Sequence, residues 1–128
     1  MKRNPSVVDG DAFAKLLGIE VLEVGAGRAR MRMAVRPDHL NGLGTVHGGA
    51  IFTLADTAFA AACNSHGPVS VAVSASILFM KAVTSGTLTA EASEDALNRR
   101  LGAYNIRVTD DNGELVATFQ GLAYRKQA

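Results

Sequence analysis

The sequence predicts an α+β fold, an antiparallel sheet of about six strands curled around one long central helix. Two observations carry this prediction. The segment from Ala50 to about His66 is rich in Ala and apolar almost all round, and a helix hydrophobic on every side is enclosed by protein. Most of the rest alternates strand-like runs with short turns, mostly in meander order, which implies antiparallel pairing. The size agrees. At 128 residues, 48% hydrophobic and 20% charged, the chain can bury one real core and has no room for a second, so residues 1–128 are expected to form a single domain.

In chain order, Asp9 to Leu17 reads as a short amphipathic helix with Phe13, Leu16 and Leu17 on one side and Gly18 as its stop. Strands follow at Ile19 to Val24 and Arg28 to Val35, around the turn Gly25-Ala26-Gly27. In the second, Arg28, Arg30 and Arg32 alternate with Ala29, Met31, Met33 and Val35, a period of two that puts charge on one face and core on the other. Arg36 to Gly49, with its Pro, Asn and four Gly, is a loop, and it runs directly into the central helix. Gly67-Pro68 ends that helix. The remaining strands are expected at Val69 to Met80, Thr87 to Glu94, Leu101 to Thr109 and Glu114 to Arg125. Asp111-Asn112-Gly113 between the last two carries the Asn-Gly pair of a tight hairpin.

Bulk properties exclude several function classes. Thirteen Lys and Arg against twelve Asp and Glu leave a formal net charge of +1, without the basic stripe of a nucleic-acid binder. The lone cysteine, Cys63, precludes a disulfide framework within the chain and suits a reducing compartment. Met1 to Pro5 has two basic residues but no apolar signal-peptide core behind it. The longest apolar stretch, Ala50 to Cys63, is broken by Thr53, Asp56 and Thr57 and is too short to span a bilayer. A cytoplasmic protein that enters no membrane is expected.

Asp56 is the most informative residue. It lies in mid-helix between Phe52 and Thr53 one turn before and Phe59 and Ala60 one turn after. Burying a carboxylate costs several kcal/mol unless it is paired or hydrogen-bonded. No Lys or Arg occurs between Asp38 and Val69, so the helix offers no partner. Either backbone donors or a distant Arg satisfy Asp56, or it is a reactive carboxylate in a cleft. The loop Asn41-Gly42-Leu43-Gly44-Thr45-Val46-His47-Gly48-Gly49 ends at the helix start. Free backbone N–H groups there, with the positive end of the helix dipole behind them, can hold a developing oxyanion, and the glycines let a ligand approach closely. The plainer reading is a flexible helix entry. Gly48 and Asp56 are eight residues apart, about 12 Å along a helix. Hydrolysis needs the oxyanion donor and the carboxylate each within about 3 Å of the reacting group. If both act, each site takes Gly48 from one subunit and Asp56 from another.

Other chemistries lack their residues. His39, His47 and His66 have no short metal-ligand spacing, so neither metal nor cofactor is expected. There is no Gly-x-Ser-x-Gly elbow and no phosphate-binding P-loop. Cys63, with no basic neighbour in sequence, reads as a small apolar packing residue. Asn98-Arg99-Arg100 is either a charged strand-to-strand turn or a phosphate contact, and Lys81, Arg125 and Lys126 are weaker candidates for the latter.

The run from Asn41 through His47-Gly48-Gly49 to Asp56-Thr-Ala-Phe59 resembles the signature of hot-dog-fold acyl-CoA thioesterases. With Ala62-Cys63-Asn64-Ser65 it is most similar to the PaaI-type phenylacetyl-CoA thioesterase group, and the likeness extends from about Leu16 to Arg125. The resemblance implies that Asp56 is the catalytic carboxylate, activating water or attacking the thioester itself. It implies that the Gly48 N–H polarises the thioester carbonyl, that Asn41 assists at the same oxygen and that His47 supports the turn. The substrate-binding candidates are Gly49, Phe79, Lys81, Asn98, Arg99 and Arg100, with Asn98 to Gly102 and Lys81 where relatives contact the nucleotide half of coenzyme A. A homodimer with sites shared between subunits, pairing into a homotetramer, is implied as well. Some relatives orient the water with a serine near position 72 or 73, where this chain has Ala72 and Val73, with Ser74 and Ser76 close by. The competing readings are a hot-dog hydratase or dehydratase, which would need a catalytic His, and a non-catalytic acyl-CoA binder, which has no use for a buried Asp56.

Overall fold

The computed structural model describes residue 7 and residues 9–126; the basic opening Met1 to Pro5 lies outside them. Helix α1 spans Ala12–Leu16, shorter than expected, because the Asp11 side chain caps it by accepting the Ala14 N–H at 2.9 Å. Gly18, at φ 75°, then turns the chain into β1, Ile19–Gly25. Strand β2, Arg28–Ala34, alternates as anticipated, with its arginines exposed and Ala29, Met31 and Met33 buried. A 3-10 turn at Pro37–His39 interrupts the loop that follows.

The central helix α2 spans Gly48–Cys63, starting and ending earlier than the apolar pattern suggested. Its start is set by His47, whose Nδ1 accepts the Gly49 N–H at 2.8 Å as an N-cap. Strands β3 (Ser70–Phe79), β4 (Thr87–Leu97), β5 (Leu101–Thr109) and β6 (Leu115–Arg125) complete a six-stranded sheet. All its pairs are antiparallel, in the order β1-β2-β4-β5-β6-β3. The departure from a meander is β3, which follows the helix yet pairs with β6 at the far edge.

The sheet wraps one side of α2. Leu54, Ala55, Ala58, Phe59 and Ala62 are buried against Met31, Leu88, Ile106 and Phe119. The large apolar side chains among these contribute about 1.5–3 kcal/mol each by leaving water. Contact is close because Gly121 has no side chain: a Cβ there would lie 2.7 Å from the Phe59 ring. At the C-terminal end of α2, Ser65 accepts the Gly27 N–H at 2.8 Å, and His66 meets Glu94 at 2.7 Å. This ties the helix to one end of the β2–β4 pair, where the Glu94 N–H also donates to the Gly27 carbonyl at 2.9 Å. The side of α2 away from the sheet stays partly open, along Thr53, Asp56 and Ala60.

Candidate active site

At the N-terminal end of α2 the backbone is almost fully committed. The His47 N–H donates to the His39 carbonyl at 2.7 Å, and the His47 carbonyl accepts from Ala50 and Ile51 at 2.9 and 3.2 Å. The Gly49 N–H is taken by the His47 ring. Among the described residues nothing accepts from the Gly48 N–H. One donor thus remains free, on a peptide whose neighbours are all tied down, at the positive end of a sixteen-residue helix. It lies beside a cleft of 330 Å³ lined by Val46, Gly48, Ile51, Phe79, Met80 and Lys81. The Phe79 ring closes over the glycine, lying 3.2 Å from where a Cβ would stand. Gly48, Phe79 and Lys81 therefore come together as a group.

Asn41 builds the preceding loop. Its Oδ1 accepts from the Leu43 and Thr45 N–H groups at 2.9 and 3.2 Å, and its amide donates to the Thr45 hydroxyl at 3.0 Å.

Asp56 sits two turns further along, on the open side of the helix. Among the described residues no donor reaches its carboxylate within hydrogen-bonding distance, so neither backbone donors nor a distant Arg satisfy it. Burial pushes its pKa above the ordinary carboxylate value, and the negative charge of Asp11, at the cap of α1, pushes it the same way. Asp11 has no sequence signal of its own in this respect; only the fold brings α1 to α2. Cys63 is buried and its thiol is pushed up to about 12, by burial and then by the charge of Asp56, so it packs as an apolar group.

The candidate nucleotide contacts divide. Asn98, Arg99 and Arg100 form the exposed β4–β5 turn, which the Asn98 Oδ1 shapes by accepting from the Arg100 and Leu101 N–H groups at 2.9 and 2.8 Å. Arg125 braces it from β6 by donating to the Asn98 carbonyl at 2.9 Å. Lys81 is at the cleft instead, and its ammonium donates to Asp110 and Glu114, bonds that raise its pKa. Ser74 and Ser76 pair with Leu122 and Gln120 on the sheet face turned away from α2, so neither serine approaches Asp56 of its own chain. Among the described residues no three His, Cys, Asp or Glu side chains gather as a metal site.

The family model described as Thioesterase superfamily matches residues 43–117, a span holding both Gly48 and Asp56. The chain belongs to the thioesterase superfamily. It is 40% identical over 121 residues to the acyl-coenzyme A thioesterase PaaI of Escherichia coli, a match covering 94% of this chain and 86% of that one. The solved structure of the Escherichia coli PaaI protein, from the phenylacetic acid degradation operon, superposes with a TM-score of 0.91 at 38% identity, covering 94% of this chain and 88% of that one. A variant of the phenylacetic acid degradation protein PaaI from Thermus thermophilus matches at a TM-score of 0.86 and 40% identity, over 90% of this chain and 99% of that one. The six-stranded sheet around α2 is the hot-dog fold of these proteins, and the chain is a thioester hydrolase of the PaaI acyl-CoA thioesterase type.

Proposed function

We propose that residues 1–128 act as one hot-dog domain that hydrolyses aromatic acyl-CoA thioesters, phenylacetyl-CoA or a ring-modified relative, to the free acid and coenzyme A. The observation that carries the reading is the pairing of one free amide donor, Gly48 N–H, with one unpartnered carboxylate, Asp56. The thioester carbonyl oxygen accepts from Gly48, assisted by Asn41. Asp56 takes a proton from water as the water oxygen bonds to the carbonyl carbon. The carbon–sulfur bond then breaks, and the coenzyme A thiolate leaves and is protonated. A carboxylate with a raised pKa is a stronger base than an ordinary one, which suits this role. His47 and Gly49 hold the helix entry, and Phe79 covers the thioester end of the substrate. Asn98, Arg99, Arg100 and Lys81 bind the nucleotide end, Lys81 by exchanging its carboxylate partners for phosphate. The phenylacetyl preference rests on the relatives named above.

Gly48 and Asp56 stand eight residues apart on one helix, about 12 Å along its axis. Each site therefore joins two subunits of a homodimer, and the dimers pair into a homotetramer in the cytoplasm. Support for a partner comes from β3, an edge strand that among the described residues has β6 as its one strand neighbour. It exposes Val71, Val73 and Leu78 to 40%, 57% and 66%, an apolar edge that monomers avoid. Phe79 ends this strand at the Gly48 cleft, so a second copy along the edge lies beside that cleft.

The test is thiol release from a panel of benzoyl, phenylacetyl, ring-hydroxylated phenylacetyl and straight-chain CoA thioesters. The reading expects kcat/KM highest for a phenylacetyl thioester. Highest activity on straight chains would overturn the aryl preference, and binding without thiol release would favour an acyl-CoA binder.

A further inference from the structure

We propose that His39 is a positioning residue for the Gly48 amide; this rests on Gly48 serving as the oxyanion donor. His39 is almost wholly buried, yet among the described residues it joins no cluster of metal-ligating side chains and is not part of the apolar core. Both ring nitrogens are in use. Nδ1 accepts the Arg36 N–H at 3.0 Å, so it carries no proton, and Nε2–H donates to the Leu17 carbonyl at 2.8 Å. The ring thus closes the Pro37–His39 turn onto its own start and fastens it to the end of α1.

The backbone of His39 does the remainder. Its carbonyl accepts the His47 N–H at 2.7 Å, and the next peptide after that N–H is the one carrying Gly48 N–H. Between these two residues the chain bulges outward through Gly42, Leu43 and Gly44, with Leu43 90% exposed. Asn41 and Thr45 close the bulge itself, the Asn41 N–H donating to the Thr45 carbonyl at 2.8 Å, and below them the base is held by the Leu40–Val46 bridge, by the Val46 N–H on the Val83 carbonyl at 2.8 Å, and by the bond between His39 and His47. Remove the ring, and the Arg36 N–H and Leu17 carbonyl lose their partner. The turn relaxes, and the His39 carbonyl no longer fixes where His47 sits. The Gly48 N–H then swings off the position that the oxyanion will occupy.

A donor aimed at developing charge matters most in the transition state, so misaiming it lowers kcat and spares substrate binding. His39→Ala should lower kcat by about 10- to 50-fold with KM within about twofold of wild type, a partial version of losing an oxyanion donor outright. His39→Asn keeps an acceptor for the Arg36 N–H but cannot reach Leu17, and should recover much of that loss. Binding of a non-hydrolysable thioether analogue of the acyl-CoA counts folded sites, so kcat is read per intact site even if a variant is less stable. The decisive comparison repeats both substitutions in a Gly48→Pro background, where the amide hydrogen is already gone. There His39→Ala should cost less than about twofold more, because the two losses are one loss. Full additivity in that background, or wild-type kcat in His39→Ala, overturns the positioning role. Wild-type kcat in Gly48→Pro alone instead overturns the donor reading, which keeps the two failures apart. Should His39→Ala not fold, the same cycle with His39→Asn decides.

Discussion

The two groups of α2 that the proposed mechanism uses are built in opposite ways. Around Gly48 the hydrogen bonds of His39, His47, Gly49, Ala50 and Ile51 fix the backbone and leave one N–H unspent. Around Asp56 no donor is fixed among the described residues, and burial together with the charge of Asp11 makes the ionised form costly. An oxyanion donor must be aimed before charge appears, since reorganising it during the reaction would consume the stabilisation it offers. A base must stay unpartnered, since every hydrogen bond to its ionised form lowers its affinity for the proton it must take. Rigid donor and unsatisfied base are therefore complementary designs, and each can be broken separately.

The largest effect is expected at the base. Asp56→Asn keeps the size of the side chain but removes charge and basicity. Turnover should fall at least about 100-fold while acyl-CoA binding persists. A folded Asp56→Asn protein with near-normal turnover would sink the mechanism.

A subtler change sharpens the same half of the comparison. In the proposed mechanism turnover requires ionised Asp56, so kcat should decline as pH falls through its raised pKa. Asp11→Asn removes one of the two causes of that elevation and keeps the oxygen that caps α1. The acid limb of the kcat–pH profile should move to lower pH, while kcat on the plateau changes by less than about twofold. A limb that stays put would mean that Asp11 does not act on the titrating group.

Smaller effects are expected at the proposed nucleotide contacts, where Asn98, Arg99 and Arg100 are all exposed. Replacing Arg99 and Arg100 with Ala should raise KM for acyl-CoA by about 3- to 10-fold with little change in kcat, because exposed charge contacts are individually weak. The difference should shrink at high salt and vanish for short thioesters lacking the nucleotide. An unchanged KM would locate the phosphates elsewhere, with Lys81 the next candidate.

Much of this was legible in the sequence, and the illegible parts share a physical reason. The alternation of β2, the Asn112-Gly113 turn and the long central helix are local patterns that the structure reproduces, although the helix is enclosed on its sheet side and stays partly open on the other. Gly48 and Asp56 stood out because a mid-helix carboxylate and a Gly-Gly helix entry are anomalies in their own neighbourhoods. The helix start was misread because Gly48 and Gly49 are poor helix formers, and the His47 cap that holds them is a contact of side chain and backbone. The placement of β3 beside β6 depends on pairing between distant segments, which no local pattern encodes. Asp11, His39 and the serines' orientation were hidden for the same reason. Asp11 reaches Asp56 only through the packing of α1, and the His39 ring joins Leu17 to Arg36 across 22 and 3 positions of chain.

The central claim is that each site takes its donor and its base from different subunits, and mixed dimers test it directly. Gly48→Pro removes the amide hydrogen without breaking a bond the fold uses. Gly48 does not have positive φ, His47 before it is already extended, and Pro is tolerated at the first turn of a helix. Gly48→Pro and Asp56→Asn, each nearly inactive alone, are unfolded, mixed in equal amounts and refolded. In a mixed dimer with shared sites, one site carries both lesions and the other carries none. Random pairing makes about half the dimers mixed, so about a quarter of wild-type activity should return. If one chain supplied both groups, every site in every mixed dimer would carry a lesion, and no recovery despite proven subunit exchange would contradict the shared site.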